Sequence, residues 1–157
     1  MDRAALVGVS VMAAGISAGT LDRSQRGDDS SAGQKALRML VVDDEAPICF
    51  ALSSYFTARG FEVDCADSAD KAEALLRDAR YAVLISDLRL AGSNEMHGLD
   101  IVAHVRRSQP ETRCIVLTAY APPEVESKAR AIADVFLYKP VPLENLASVI
   151  DRLLKET

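Results

Sequence analysis

The 157-residue chain is 49% hydrophobic and 26% charged, the balance of a soluble globular protein of about one domain. Its 18 Lys and Arg against 23 Asp and Glu leave a net charge of −5, and no basic run occurs, which argues against a nucleic-acid surface. Cys49, Cys65 and Cys114 lie in apolar runs without CxxC or metal-ligand spacing, so they read as small core hydrophobes in a reducing cytosol.

Residues 4–21 carry no charge and are rich in Ala, Gly, Ser and Val. An export signal wants a basic start, and this chain opens Met1-Asp2-Arg3. Three Gly and two Ser also make the stretch a weak membrane span, which needs about 20 predominantly apolar residues. It reads as a loosely ordered arm or a non-native start, with no membrane partner. Residues 22–35 are polar and rich in Gly and Ser, the composition of a linker. Residues 1–36 are thus expected to be a poorly ordered extension, and residues 37–157 the folded domain.

The first strand is expected at Met39–Val42, which stops on Asp43-Asp44. Pro47 suits the first turn of the next helix, Ile48, Leu52, Tyr55 and Phe56 give it an apolar stripe, and Gly60 ends it. Phe61–Cys65 alternates strictly, as a strand half open to water at a sheet edge does. Ser68 suits the N-cap of a helix through about Asp78 that carries Ala72, Leu75 and Leu76. Ala82–Ser86 then run unbroken into Asp87, and so short an apolar run suits a strand buried on both faces of a parallel sheet. A loop with Gly, Ser and Asn leads to a helix from about Met96 to Ser108, with Leu99, Val102 and Val105 on one face. Cys114–Leu117 forms the fourth strand and stops on Thr118. Pro122-Pro123 start a weaker helix through Ala131, and Val135–Tyr138 stops on Lys139-Pro140. The last helix, Leu143 to Leu154, turns Leu143, Leu146, Val149, Ile150 and Leu153 inward. Strand and helix alternate five times. That pattern specifies an α/β fold with a parallel sheet, right-handed crossovers and helices on both faces.

In such sheets ligands bind at the carboxyl ends of the strands. Asp43, Asp44, Asp87, Thr118 and Lys139 would all converge there. Singly, each has a plainer reading: the paired acids as caps of the first helix, Asp87 as a loop acid, Thr118 as a strand-end hydroxyl, Lys139 as a solvated lysine. Jointly, crowded carboxylates repel, and a divalent cation with all-oxygen ligands, Mg2+ or Mn2+, is the natural remedy. A cation also screens an aspartate from an approaching phosphoryl group, while an ammonium and a hydroxyl hold the phosphoryl oxygens. The set suits a carboxylate nucleophile that becomes an acyl phosphate.

This set resembles the receiver domain of two-component response regulators, and the likeness spans about Arg38 to Leu154. The resemblance implies a flavodoxin-like fold with strand order 2-1-3-4-5 and Mg2+ as cofactor. It implies Asp87 as phosphoacceptor, Asp44 as a direct Mg2+ ligand, Asp43 as one mainly through water, and the backbone carbonyl of Arg89 as a further ligand. Lys139 would pair with the phosphoryl group. Thr118 would swing toward it, leaving space for Phe136 to turn inward. The Lys139–Pro140 bond would be cis. The implied partners are a histidine kinase or phosphotransfer protein as donor, a downstream protein target contacted by residues from about Pro123 to Leu154, and a second copy in a phosphorylation-dependent dimer. The implied location is the cytoplasm.

Three features depart from the family pattern. Ala91 follows Asp87-Leu-Arg-Leu where Pro is usual, the stretch to Gly98 is longer than usual, and Ile132 stands where a Gly commonly precedes the last strand. His97 in that longer stretch reads as a solvated loop residue, and Arg89 and Tyr120 flank the reaction centre. Because the chain ends just past the fifth helix, it is expected to be a stand-alone receiver and not an enzyme. Its rivals are a receiver-like module that is never phosphorylated and a phosphatase of the haloacid dehalogenase type. The latter needs an acid two residues after its nucleophile, where this chain has Arg89.

Overall fold

The computed structural model describes residues 33–90 and 97–156. The expected arm, the expected linker up to residue 32, and residues 91–96 of the longer stretch lie outside the described residues. Strands β1 (Arg38–Val42), β2 (Glu62–Ala66), β3 (Val83–Ser86), β4 (Arg113–Thr118) and β5 (Val135–Tyr138) alternate with five helices. These are α1 (Ala46–Ala58), α2 (Ala69–Asp78), α3 (His97–Ser108), α4 (Pro123–Ile132) and α5 (Leu143–Lys155). All strand pairs are parallel, in the order β2-β1-β3-β4-β5. This is the expected doubly wound, flavodoxin-like sheet.

The core explains why the central strands read as unbroken apolar runs. Successive side chains point to opposite faces, and both faces are covered. Met39, Val41, Val83, Ile85 and Ile115 pack with Leu52 and Phe56 of α1 and with Leu146 and Ile150 of α5. Leu40, Val42, Leu84 and Val116 pack on the other face with residues of α2, α3 and α4, including Leu76, Val102 and Ala129. Each fully buried Leu, Ile or Val side chain contributes about 1.5–3 kcal/mol.

Local chemistry sets the ends of the helices. Gly60, after α1, has φ +96°, a conformation that costs a glycine little. The Ser68 hydroxyl accepts from the Lys71 N–H at 3.3 Å and caps α2. Neither Asp43 nor Asp44 caps α1, because its N-cap is Glu45. With Ile132 in place of glycine, α4 runs through Ile132 and ends in an extended Ala133. The Ile132 carbonyl then accepts from Arg106 Nε of α3 at 2.6 Å, which satisfies a helix-end carbonyl from outside the helix. His97 is the first described residue of α3 rather than a loop residue, with its Nδ1 3.9 Å from Asp100. Among the described residues, no helix is long and apolar enough to cross a membrane.

Candidate functional site

Parallel strands deliver their last residues to one edge. Val42 of β1 pairs with Ser86 of β3, and Thr118 of β4 with Tyr138 of β5. The ladder continues one step beyond the strands, since the Asp87 N–H donates to the Val42 carbonyl at 2.9 Å and the Lys139 N–H to the Thr118 carbonyl at 2.8 Å. Asp43, Asp87 and Thr118 are buried there. All the residues expected at this rim meet.

Lys139 Nζ donates to Asp43 Oδ2 at 2.6 Å, to Asp87 Oδ2 at 2.9 Å and to Glu45 Oε2 at 3.2 Å. Its side chain is only 13% exposed. The second Asp87 oxygen lies 2.8 Å from the Thr118 hydroxyl and accepts from the Arg89 N–H at 3.2 Å. Asp43 Oδ1 accepts from the Glu45 N–H at 2.9 Å. Asp43, Asp44 and Asp87 each offer an oxygen within 4.8 Å of the others. Burial pushes the Asp43 carboxyl above its ordinary range, against the pull of Lys139 and the Glu45 N–H. Burial also disfavours the Lys139 ammonium, but its hydrogen bonds to Asp43 and Asp87 outweigh this and hold it above its ordinary value. We read the pair as ammonium and carboxylate, because the short Lys139–Asp43 bond joins those charged forms.

A family model described as the response regulator receiver domain matches residues 39–151. The chain belongs to the receiver domain family. The receiver is 34% identical over 121 residues to the regulatory protein AtoC of Escherichia coli K12, a match covering 75% of this chain and 25% of AtoC. The chain thus spans about a quarter of that relative's length. A CheY-like receiver domain protein from Methanospirillum hungatei superposes with TM-score 0.68 at 26% identity, covering 78% of this chain and 99% of that one. TrrA of Thermotoga maritima, solved in complex with Mg(2+)-BeF, gives TM-score 0.65 at 27% identity over 74% of this chain and 98% of its own.

The Thr118 hydroxyl lies 2.8 Å from Asp87 Oδ1 and 3.2 Å from the Tyr120 carbonyl, and Phe136 is buried at 7% exposure. The Lys139–Pro140 bond is cis, as expected. Two residues of the site were missed from sequence. Glu45 gives Lys139 a third carboxylate, and the run Asp43-Asp44-Glu45 was the available signal. Gly98 lies so close to the Asp87 backbone that a Cβ there would sit 1.8 Å from the Asp87 carbonyl oxygen. The Cys49 thiol donates to the Asp43 carbonyl at 3.1 Å, and burial pushes it up to about 12, which suits a neutral packing group.

Proposed function

We propose that this receiver is a phosphorylation switch in which Asp87 accepts a phosphoryl group from a histidine kinase or phosphotransfer protein. The observation that carries the reading is the meeting of Lys139, Thr118, Asp43 and Asp44 around the one buried carboxylate of Asp87. One Asp87 oxygen forms a bond to phosphorus while the phosphorus–nitrogen bond of the donor phosphohistidine breaks. The leaving imidazole keeps the electron pair and takes up a proton. Lys139 and Thr118 then donate to phosphoryl oxygens rather than to the bare carboxylate. The all-oxygen set fits Mg2+, with Asp43, Asp44, Asp87 and the Arg89 carbonyl as the groups that would hold it. When bound, Mg2+ offsets the carboxylate charge that would repel the donor phosphate. The capture of TrrA with Mg(2+)-BeF supports the same assignment.

In this reading the domain is a cytoplasmic acceptor and not an enzyme, since Arg89 stands where a phosphatase of the aspartate-nucleophile type needs an acid. Phosphorylation adds nearly two charges at the rim, and output passes through α4, β5 and α5 to a protein partner or a second copy. Incubation with acetyl phosphate and Mg2+ is expected to add one phosphoryl group by intact mass. Asp87→Asn is expected to abolish it, and undiminished labelling of that variant would overturn the assignment.

A further inference from the structure

Cys49 and Cys65 bracket the backbone of Asp43 from two sides. The Cys49 thiol, on α1, donates to the Asp43 carbonyl at 3.1 Å. The Asp43 N–H donates at 3.0 Å to the carbonyl of Ala66, the neighbour of Cys65 on β2. The Cys65 thiol donates in turn to the Cys49 carbonyl at 3.7 Å, and the two thiols also interact with each other. Both are only part-buried, and they line a cavity of about 220 Å3 together with Asp43, Asp44, Asp67 and Lys71. A small solute can therefore reach the pair beside the acidic rim. Cys114 cannot join them, because it is fully buried on the opposite face of the sheet.

The two thiols are not equivalent. Burial pushes both up, but the Ser53 hydroxyl and the Lys71 ammonium draw the Cys65 thiol back, whereas the Asp43 charge raises Cys49 further. Cys65 is thus the better nucleophile and Cys49 the neighbour that completes the reaction. With hydrogen peroxide as oxidant, the Cys65 sulfur bonds to one peroxide oxygen while the O–O bond breaks, giving a sulfenic acid and water. The Cys49 sulfur then attacks that sulfur, the S–O bond breaks and a second water leaves. Two thiols give up two electrons and two protons, and one peroxide becomes two waters. Burial slows the first step, so the pair answers sustained rather than brief exposure.

We propose that Cys49 and Cys65 form a peroxide-oxidised dithiol–disulfide pair whose closure weakens divalent-cation binding at Asp43, Asp44 and Asp87. The disulfide consumes the S–H that the Asp43 carbonyl accepts and draws α1 toward β2 across the Asp43 peptide. The coupling rests on the cation reading of the acidic cluster, whereas the pairing of the two cysteines does not. A bound cation disfavours the disulfide by the same factor.

The full chain, treated with hydrogen peroxide and then freed of it, tests both parts. Free thiols counted in denaturant should fall from three to one. Peptide mass spectrometry should find Cys49 linked to Cys65 within one chain, with Cys114 free. Calorimetric titration with Mg2+ should show binding weakened by about two- to ten-fold, the worth of one hydrogen bond. Dithiothreitol should reverse the change, and peroxide should leave the Mg2+ affinity of Cys65→Ala unmoved. Three free thiols after treatment, a disulfide between chains, or sulfinic acid on single cysteines would overturn the pairing. A linked chain with unchanged Mg2+ affinity would overturn the coupling. Absence of Mg2+ binding by the reduced chain would instead overturn the cation reading, and the thiol count would still decide the pairing.

Discussion

Lys139 Nζ lies 2.9 Å from Asp87 Oδ2 across 52 residues of sequence, with only 13% and 8% of the two side chains exposed. The same ammonium meets Asp43 at 2.6 Å. Removing it leaves two buried carboxylates facing each other without a counter-charge. Lys139→Met is therefore expected to lower stability in metal-free buffer, where breaking a buried ion pair costs about 3–5 kcal/mol. Mg2+ should restore much of the loss, so the metal-dependent rise in Tm becomes larger than in the unmodified chain. Equal melting curves for the two proteins in both buffers would contradict this role.

Gly98 is set by a close approach rather than by a turn. A Cβ there would lie 1.8 Å from the Asp87 carbonyl oxygen and 2.7 Å from the Leu88 Cα, all backbone that cannot swing aside. Gly98→Ala must push α3 away from the strand that carries Asp87. Overpacking of this kind costs about 1–3 kcal/mol, and chemical denaturation together with the labelling rate should both register it. Labelling at the normal rate would show that the site tolerates the displacement.

At the amino ends of the strands, Gln109 is 5% exposed and replaces a missing stretch of backbone pairing. Its carbonyl accepts from the Tyr81 N–H at 3.0 Å, and its amide donates to the carbonyls of Leu76 and Ala79 at 3.1 and 2.8 Å. Gln109→Ala strands these groups, at about 1–3 kcal/mol for a buried unsatisfied polar group. Because the loss is remote from the rim, stability should fall while the labelling rate of the folded protein holds.

Burial pushes the Cys114 thiol from 9.0 up to about 11. A thiol whose value is raised by folding favours the fold while it is neutral. The contribution is full below pH 9.0 and is lost as pH climbs toward about 11. Denaturation midpoints should fall over that interval and recover in part in Cys114→Ala, measured relative to its own value at neutral pH. At pH 8 a thiol reagent should reach Cys114 only after denaturant is added, and rapid modification of the native protein would contradict its burial.

Much of this is legible in the sequence alone. The apolar runs at Met39–Val42, Val83–Ser86 and Cys114–Leu117 are buried on both faces, and a parallel sheet leaves no choice about which edge receives Asp43, Asp87 and Thr118. What was not legible depends on distant segments meeting. Glu45 reaches Lys139 across 94 residues, and Arg106 reaches the end of α4 across 26. Neither pairing leaves a local pattern. The buried Phe136 and the Thr118 hydroxyl at Asp87 are likewise choices among side-chain positions, set by the residues that meet them in space and not by local pattern.

Of the three clustered aspartates, Asp43, Asp44 and Asp87, the last is the one expected to carry the phosphoryl group. Reduction of the acyl phosphate with borohydride after labelling by acetyl phosphate and Mg2+ converts the modified aspartate to homoserine, which peptide mass spectrometry can place. Homoserine at position 87 alone is the expected result. Homoserine at Asp43 or Asp44, or at no aspartate of the cluster, would contradict the account.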